Sequence, residues 1–192
     1  MLTINKSAML AAANCAGVKN VRYHMNGVHI EVTTSGIMHV VSTDGTIMFV
    51  GRVESPLWTD TPQVGPWSMI IPLDVVKTAC KGKPSSVTLS ALPDGRYTLG
   101  DVIFSPVDGV FPDWRRVAIL SDEPAETGQF DPDLLARCTK ALQAWDGGKK
   151  NYYLHNRGNS AGAMVTDNAF CIVMPLRGAV LTDTKPFIPC AK

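Results

Sequence analysis

FSPVDGVFPDWRRV, residues 104–117, is the stretch from which the rest of the chain is read. Its first residues continue a strand. Val107-Asp108-Gly109 then turns, because Asp-Gly is a strong turn dipeptide. Pro112 has no N–H to donate, so Phe111 and Pro112 cannot lie in the middle of a sheet. Trp114, Arg115, Arg116 and Val117 follow. An aromatic ring and two guanidiniums with so little regular structure suggest a contact surface, because Trp and Arg anchor such surfaces. The plain alternative is a surface loop with a Trp cover and two solvated arginines.

Around this stretch lies a chain of 192 residues, enough for one or two domains with a real core. Hydrophobic residues make up 45% and charged residues 18%, an ordinary soluble composition. A formal net charge of +1 excludes a histone-like basic binder but leaves room for a local basic face. The five cysteines are Cys15, Cys80, Cys138, Cys171 and Cys190; no CxxC appears, and four scattered histidines add no metal-ligand spacing. They read as reduced core thiols of a cytosolic protein, with no cofactor or metal expected. The N-terminal run lacks a basic n-region and a long apolar stretch, so it does not read as a signal peptide. No run approaches the roughly 18 apolar residues of a membrane span.

Outward from residues 104–117, the pattern repeats. Residues 2–4 alternate like a strand, Asn5 or Ser7 can cap, and the Ala-rich residues 8–16 form a helix that Gly17 ends. Residues 21–33 hold two strands around Asn26-Gly27, a strong hairpin signal. Strands 37–41 and 46–53 flank Thr43-Asp44-Gly45, and a Pro-rich linker covers 56–66. The pattern restarts with a strand at 67–71, a helix at 73–80 led by Pro72, and strands at 87–92, 96–99 and 102–105. After an acidic linker at 121–127 it restarts again. Phe130 is strand-like, Asp131 or Asp133 caps a helix at 134–144, strands follow at 151–155, 162–166 and 170–176, and residues 178–192 are a tail. The helical segments SAMLAAANC, PLDVVKTAC and DPDLLARC each close on a cysteine. A strand, a helix and further strands thus recur from near residues 2, 67 and 129. The expected class is α+β, with repeated units packing their helices on one face of antiparallel sheets.

Four segments, in order, carry a family resemblance: VRYHMNGVHIE (21–31), STDGTIMFV (42–50), PVDGVFPDWRR (106–116) and IVMPLR (172–177). They resemble the bacterial DNA polymerase III beta subunit, the sliding clamp. The resemblance implies the DNA clamp fold, in which each domain is a pair of strand-helix-strands halves. Six domains close a ring around duplex DNA, with helices inside and strands outside. It implies a full middle-type domain at 1–119, with halves at 1–55 and 66–119, a half-domain of the final type at 128–177, and a C-terminal tail at 178–192. It also implies a pocket that captures short peptides from polymerases and clamp loaders. Carried over residue by residue, that pocket comprises Met25; Thr43 and Gly45; Pro112, Arg116 and Val117; and Met174, Pro175, Leu176 and Arg177. Methionines re-pack around varied apolar anchors, and arginines supply directional donors at a rim. After Thr-Asp-Gly the family usually carries a His-Arg pair; Thr46 and Ile47 stand there in this chain.

Duplex DNA is the second implied partner. Lys6, Lys19, Arg22, Lys77, Lys81, Lys83, Arg137 and Lys140, on or beside the three helices, are the candidates for weak, sequence-independent phosphate contact. The implied function is a non-enzymatic processivity factor that encircles DNA and tethers polymerase. The alternative is a clamp-like regulator that captures clamp-binding peptides, or another clamp, without encircling. An incomplete final domain suggests self-assembly into a dimer or a four-chain ring, with a three-chain ring as the rival. There is no P-loop, GxSxG or HExxH. His24, His29, His39 and His155 lie on or beside strands and read as structural.

Overall fold

The computed structural model describes residues 1–54, 56–58, 66–118, 128–148, 151–155 and 160–177. The acidic linker, most of the Pro-rich linker and the tail at 178–192 lie outside the described residues, as does Cys190. Strand β1 (Leu2–Asn5) runs directly into helix α1 (Lys6–Ala13). A 3₁₀ turn (Tyr23–Met25) leads to β2 (Gly27–Val32), β3 (Met38–Thr43), β4 (Ile47–Val53) and the short β5 (Leu57–Trp58). β6 (Trp67–Pro72) runs directly into α2 (Leu73–Ala79), then come β7 (Ser86–Ala91), β8 (Tyr97–Leu99) and β9 (Val102–Phe104). The single turn α3 (Arg115–Ala118) precedes α4 (Pro132–Asp146), β10 (Leu154–His155), β11 (Gly162–Val165) and β12 (Ala169–Val173).

The strands form two antiparallel sheets, ordered β5-β1-β7-β8-β9 and β10-β11-β12-β4-β3-β2-β6. The first two repeats exchange strands reciprocally. β1 pairs with β7, placing Leu2 opposite Leu89, while β6 pairs with β2, placing Pro72 opposite Gly27. The third repeat joins through β12, which lies along β4 with Phe170 opposite Val50 and Val173 opposite Ile47. One sheet therefore runs unbroken from the first repeat into the third. The helices cover one face, with α1 packed against both α2 and α4. α1 is Ala-rich because it is enclosed: Ala8, Met9, Ala11 and Ala12 are buried, and small side chains let neighbouring helices approach. α4 is longer and amphipathic. Asp131 caps it by accepting from Asp133 N at 2.8 Å, Pro132 fills the first turn, and Gly147 ends it at φ +80°.

The other face of the seven-stranded sheet carries a second apolar cluster. Val41, Met48, Val50, Ile70 and Ile172 lie there under Phe111 and Trp114. Residues 107–118 cross this face. Val107 N donates to Ile70 O on β6, Phe111 stacks on His29 of β2 at 4.6 Å, and Trp114 leans on His39 of β3 at 5.2 Å. Ala118 ends the crossing against the same cluster.

Three expectations need correction. Asn26-Gly27 does not form a hairpin turn. A type I′ turn needs positive φ at both residues, but Asn26 sits at φ −84° as the residue after the 3₁₀ turn. Its side chain instead braces the preceding loop, accepting from Asn20 N and donating to Asn20 O, both at 2.8 Å. Phe130 is not in a strand. β1 and β6 each pair along the other repeat's second strand, whereas residues 128–130 meet the chain through Leu176 N, which donates to Gln129 O at 2.7 Å, and are not assigned to a strand. Trp114 and Arg115 do not form a free contact surface. Trp114 is buried, and Arg115 grips Glu31 with both terminal nitrogens, at 2.6 and 3.1 Å.

Candidate functional site

The Thr43-Asp44-Gly45 turn is built by its own side chains. Thr43 Oγ1 donates to Ile47 O at 2.7 Å and accepts from Gly45 N at 3.0 Å. Asp44 Oδ1 accepts from Thr46 N, Thr46 Oγ1 and Ile47 N at 2.8, 2.6 and 3.0 Å. Burial pushes the Asp44 carboxyl up, but these donors and Arg137 outweigh it and leave it below the usual carboxylate range. Gly45 stands at φ +96°, and a Cβ there would strike the Arg22 guanidinium. The positive φ is what calls for glycine, since the flexible Arg22 side chain could move aside.

This turn gathers the neighbouring segments. Met174 N donates to Thr46 O at 2.9 Å, which seats residues 174–177 beside it. Asn20 Nδ2 donates to Asp44 O at 3.0 Å, and Arg22 lies over Gly45, so residues 20–25 flank its other side. Tyr23 and His24 in turn abut Gly109, at the start of the crossing loop. The arrangement thus links three of the segments expected to form a peptide pocket: Met25 with its turn, Thr43 with Gly45, and Met174, Pro175, Leu176 and Arg177. Pro112, Arg116 and Val117 belong to the crossing loop on the same face.

The members differ in what they offer. Met25 and Thr43 are buried and brace the site from beneath. Val117, Met174 and Leu176 are 46%, 39% and 47% exposed, apolar surface open to a ligand. Arg116 and Arg177 are exposed, and Arg116 pairs with Asp113 at 3.2 Å. Exposed Tyr23 lies against Gly109, and Arg22 lies over Gly45; neither was read from sequence as a pocket residue. Both precede the matched Met25, and nothing in their spacing separates them from an ordinary strand.

The helix face is a distinct surface. Leu10, Val18, Lys77, Arg137 and Lys140 line an open groove of about 680 Å³, which Asp44 and Thr46 also line. Lys77, Lys81, Lys83, Lys140 and Lys19 are exposed on or beside this layer. Two candidates for phosphate contact are otherwise engaged. Lys6 is buried, and its Nζ donates to Lys81 O and Gly82 O just past α2, so it is not a DNA contact. Arg137 is committed to Asp44, Asn14 O and Ala16 O. Arg22 sits beside the Thr-Asp-Gly turn, over Gly45.

A cavity of about 870 Å³ lies between the two sheets beside residues 106–115, lined by His29, Glu31, Trp67, Tyr97 and Arg115. Glu31 there is fully engaged. Arg115, aided by Trp114 Nε1 at 3.4 Å, holds its carboxyl below the usual range against the upward push of burial. No described helix is long and apolar enough to cross a membrane.

No protein-family model and no curated protein sequence matches the chain. Solved structures do. The DNA polymerase III subunit beta of Pseudomonas aeruginosa is 16% identical, with 91% of this chain and 66% of that one covered at a TM-score of 0.62. The Caulobacter crescentus pol III beta is 15% identical, with coverages of 92% and 65% and a TM-score of 0.64. The Helicobacter pylori beta clamp, solved with a DNA ligase peptide, is 13% identical, with coverages of 92% and 65% and a TM-score of 0.62. The chain spans about two thirds of the length of the clamps it matches. Its helices on one face of antiparallel sheets are the α+β fold of the bacterial DNA polymerase III beta sliding clamps.

Proposed function

We propose that this chain is a clamp-like, non-catalytic tethering factor of the cytoplasm. Its outer face takes short peptides from replication proteins, and its helix face lies along duplex DNA. The observation that carries the reading is the junction at the Thr-Asp-Gly turn. Met174 N bonds to Thr46 O, which sets the exposed Met174 and Leu176 beside a turn flanked by Arg22 and Tyr23. A clamp of this fold has been solved with a DNA ligase peptide, which supports peptides as the ligand class. Where the family's His-Arg pair would stand, Thr46 is tied to Asp44 and Ile47 is buried. Arg22, over Gly45, is the guanidinium available to a peptide at that rim. The partition into a full domain at 1–119 and a half-domain at 128–177 is part of this proposal. So is self-assembly through that half-domain into a dimer, and of two dimers into a four-chain ring, with a three-chain ring as the rival.

The test is direct. A fluorescent clamp-binding peptide should bind the intact chain, and Met174→Ala with Leu176→Ala should weaken it by about 2 kcal/mol or more. Both side chains are exposed, so the fold should survive, as circular dichroism will verify. Unchanged affinity would remove the peptide site. Light scattering then separates the two modes. A mass of four chains supports encirclement by paired half-domains and of three chains the rival ring; two chains support half-domain pairing without closure, and a stable monomer supports the regulator that binds peptides without closing around DNA.

A further inference from the structure

Cys15, Cys138 and Cys171 come from the loop after α1, the middle of α4 and β12, yet their sulfurs all lie within 4.8 Å of one another. All three are wholly buried, and none is in a disulfide. They sit at the junction where the third repeat docks on the first. Spacing along the chain gives no hint of this cluster, because each cysteine belongs to a different element.

We propose that these three thiols form a three-coordinate site for a thiophilic d¹⁰ ion, copper(I). An ion centred among three sulfurs with bonds of about 2.3 Å spaces them about 4 Å apart, so small side-chain shifts close the observed triangle. No carboxylate or imidazole among the described residues joins the group. Zinc takes four ligands in structural sites, whereas copper(I) is selected by soft sulfur donors. Binding releases the thiol protons and leaves the bound ion with a net negative charge. Arg137 is placed to offset that charge: it immediately precedes Cys138 in sequence, and its guanidinium grips the carbonyls of Asn14 and Ala16, which flank Cys15. Cys171 Sγ donates to the backbone carbonyl of Cys138 at 3.7 Å, which holds β12 and α4 together at the cluster. Asn14, Ala16 and Arg137, the chain neighbours of Cys15 and Cys138, line the groove on the helix face. The loaded site would join α1, α4 and β12 through one ion and so lock the third repeat in place.

The proposal is independent of the peptide and DNA readings. Intact, reduced protein is titrated anaerobically with copper(I) against a chromophoric chelator. One ion per chain should bind, X-ray absorption should find three sulfurs in a single shell, and the unfolding temperature should rise. Cys138→Ser should weaken binding by more than about 100-fold, and Cys80→Ser, away from the cluster, should leave it unchanged. If Cys138→Ser does not fold, the sulfur count in the unaltered protein decides. Failure to compete with the chelator, fewer than three sulfurs, or undiminished binding in a folded Cys138→Ser variant would each overturn the site.

Discussion

The Arg137 guanidinium of α4 lies 2.6 Å from the Asp44 carboxylate, and so joins the third repeat to the turn that organises the outer face. Asp44 uses one oxygen for its own turn and the other for Arg137. Arg137 divides its donors between Asp44 and the backbone after α1. Removing either partner strands partly buried polar groups. Arg137→Ala should cost about 2 kcal/mol of stability in urea titrations, with hydrogen exchange quickening first in α4. Because the Asp44 pKa is depressed in the folded state, its contribution is present above the unfolded value of about 4 and fades as pH falls below it. Equal stability of Arg137→Ala and the parent at pH 7 would show that the pair is not a fastening.

Gly51 and Trp145 make a second fastening. Gly51 lies in β4, and an added Cβ would collide with the six-membered ring of Trp145 from α4. That ring also packs on Phe49 at 5.7 Å between centroids. Glycine in a strand often marks a close approach of this kind. Gly51→Ala should lower stability by about 1–3 kcal/mol through overpacking. Trp145→Ala in the same background should recover part of that loss, because it removes the clash. Additive losses in the two variants would break the link.

The repeats were legible because each announces itself by local chemistry. Pro72 before α2, Asp131 before α4 and the Ala-rich α1 mark helices within a few residues. Asp44 and Gly45 mark a turn that the structure bears out, with hydrogen bonds internal to the turn. What failed depended on partners distant in sequence. Asn26-Gly27 has the composition of a hairpin, but β2 takes β3 and β6 as neighbours. Lys6 looks like a solvated lysine beside a helix until the carbonyls of Lys81 and Gly82 meet it. Trp114 and Arg115 look like an exposed anchor pair until Glu31, far away in sequence, takes both. The match of IVMPLR to the clamp placed Met174 near the turn, whereas the approach of Arg22 to Gly45 has no local signature.

His29 should make the fold acid-sensitive above the carboxylate range. It is buried against Phe111, and desolvation lowers its pKa to about 4, with Glu31 opposing and Arg115 assisting. The unfolded chain binds a proton near pH 6.5, which the native imidazole refuses. Stability is therefore flat above about pH 6.5 and falls as pH drops toward 4, by an amount on the order of 3 kcal/mol. His39 is shifted in the same direction by burial and adds to the slope. His29→Gln should lower the starting stability yet flatten this part of the curve, read as unfolding temperature from pH 8 to 4.5. Parallel curves for the two proteins would assign the acid sensitivity elsewhere.

The lysines on the helix side divide into two kinds, and that division is testable. Lys77 and Lys140 are exposed and line the groove on the helix face. Lys6 is buried, with its ammonium on the carbonyls of Lys81 and Gly82 at 3.1 and 3.3 Å, at the negative end of α2. A surface that follows duplex DNA through phosphates should bind weakly, without sequence preference and with a steep salt dependence. Lys77→Ala with Lys140→Ala should weaken binding to a non-specific duplex. It should also reduce the slope of log affinity against log salt by roughly 2, since each lost phosphate contact removes about one unit. Stability should stay within about 0.5 kcal/mol. Lys6→Ala should show the opposite pattern, costing about 1–2 kcal/mol in unfolding by stranding two carbonyls while the salt slope keeps its value. Fluorescence anisotropy across a salt series, beside urea unfolding, reads both quantities. An unchanged slope in the double variant would sink the helix face as a DNA surface, whatever the outcome at the peptide site.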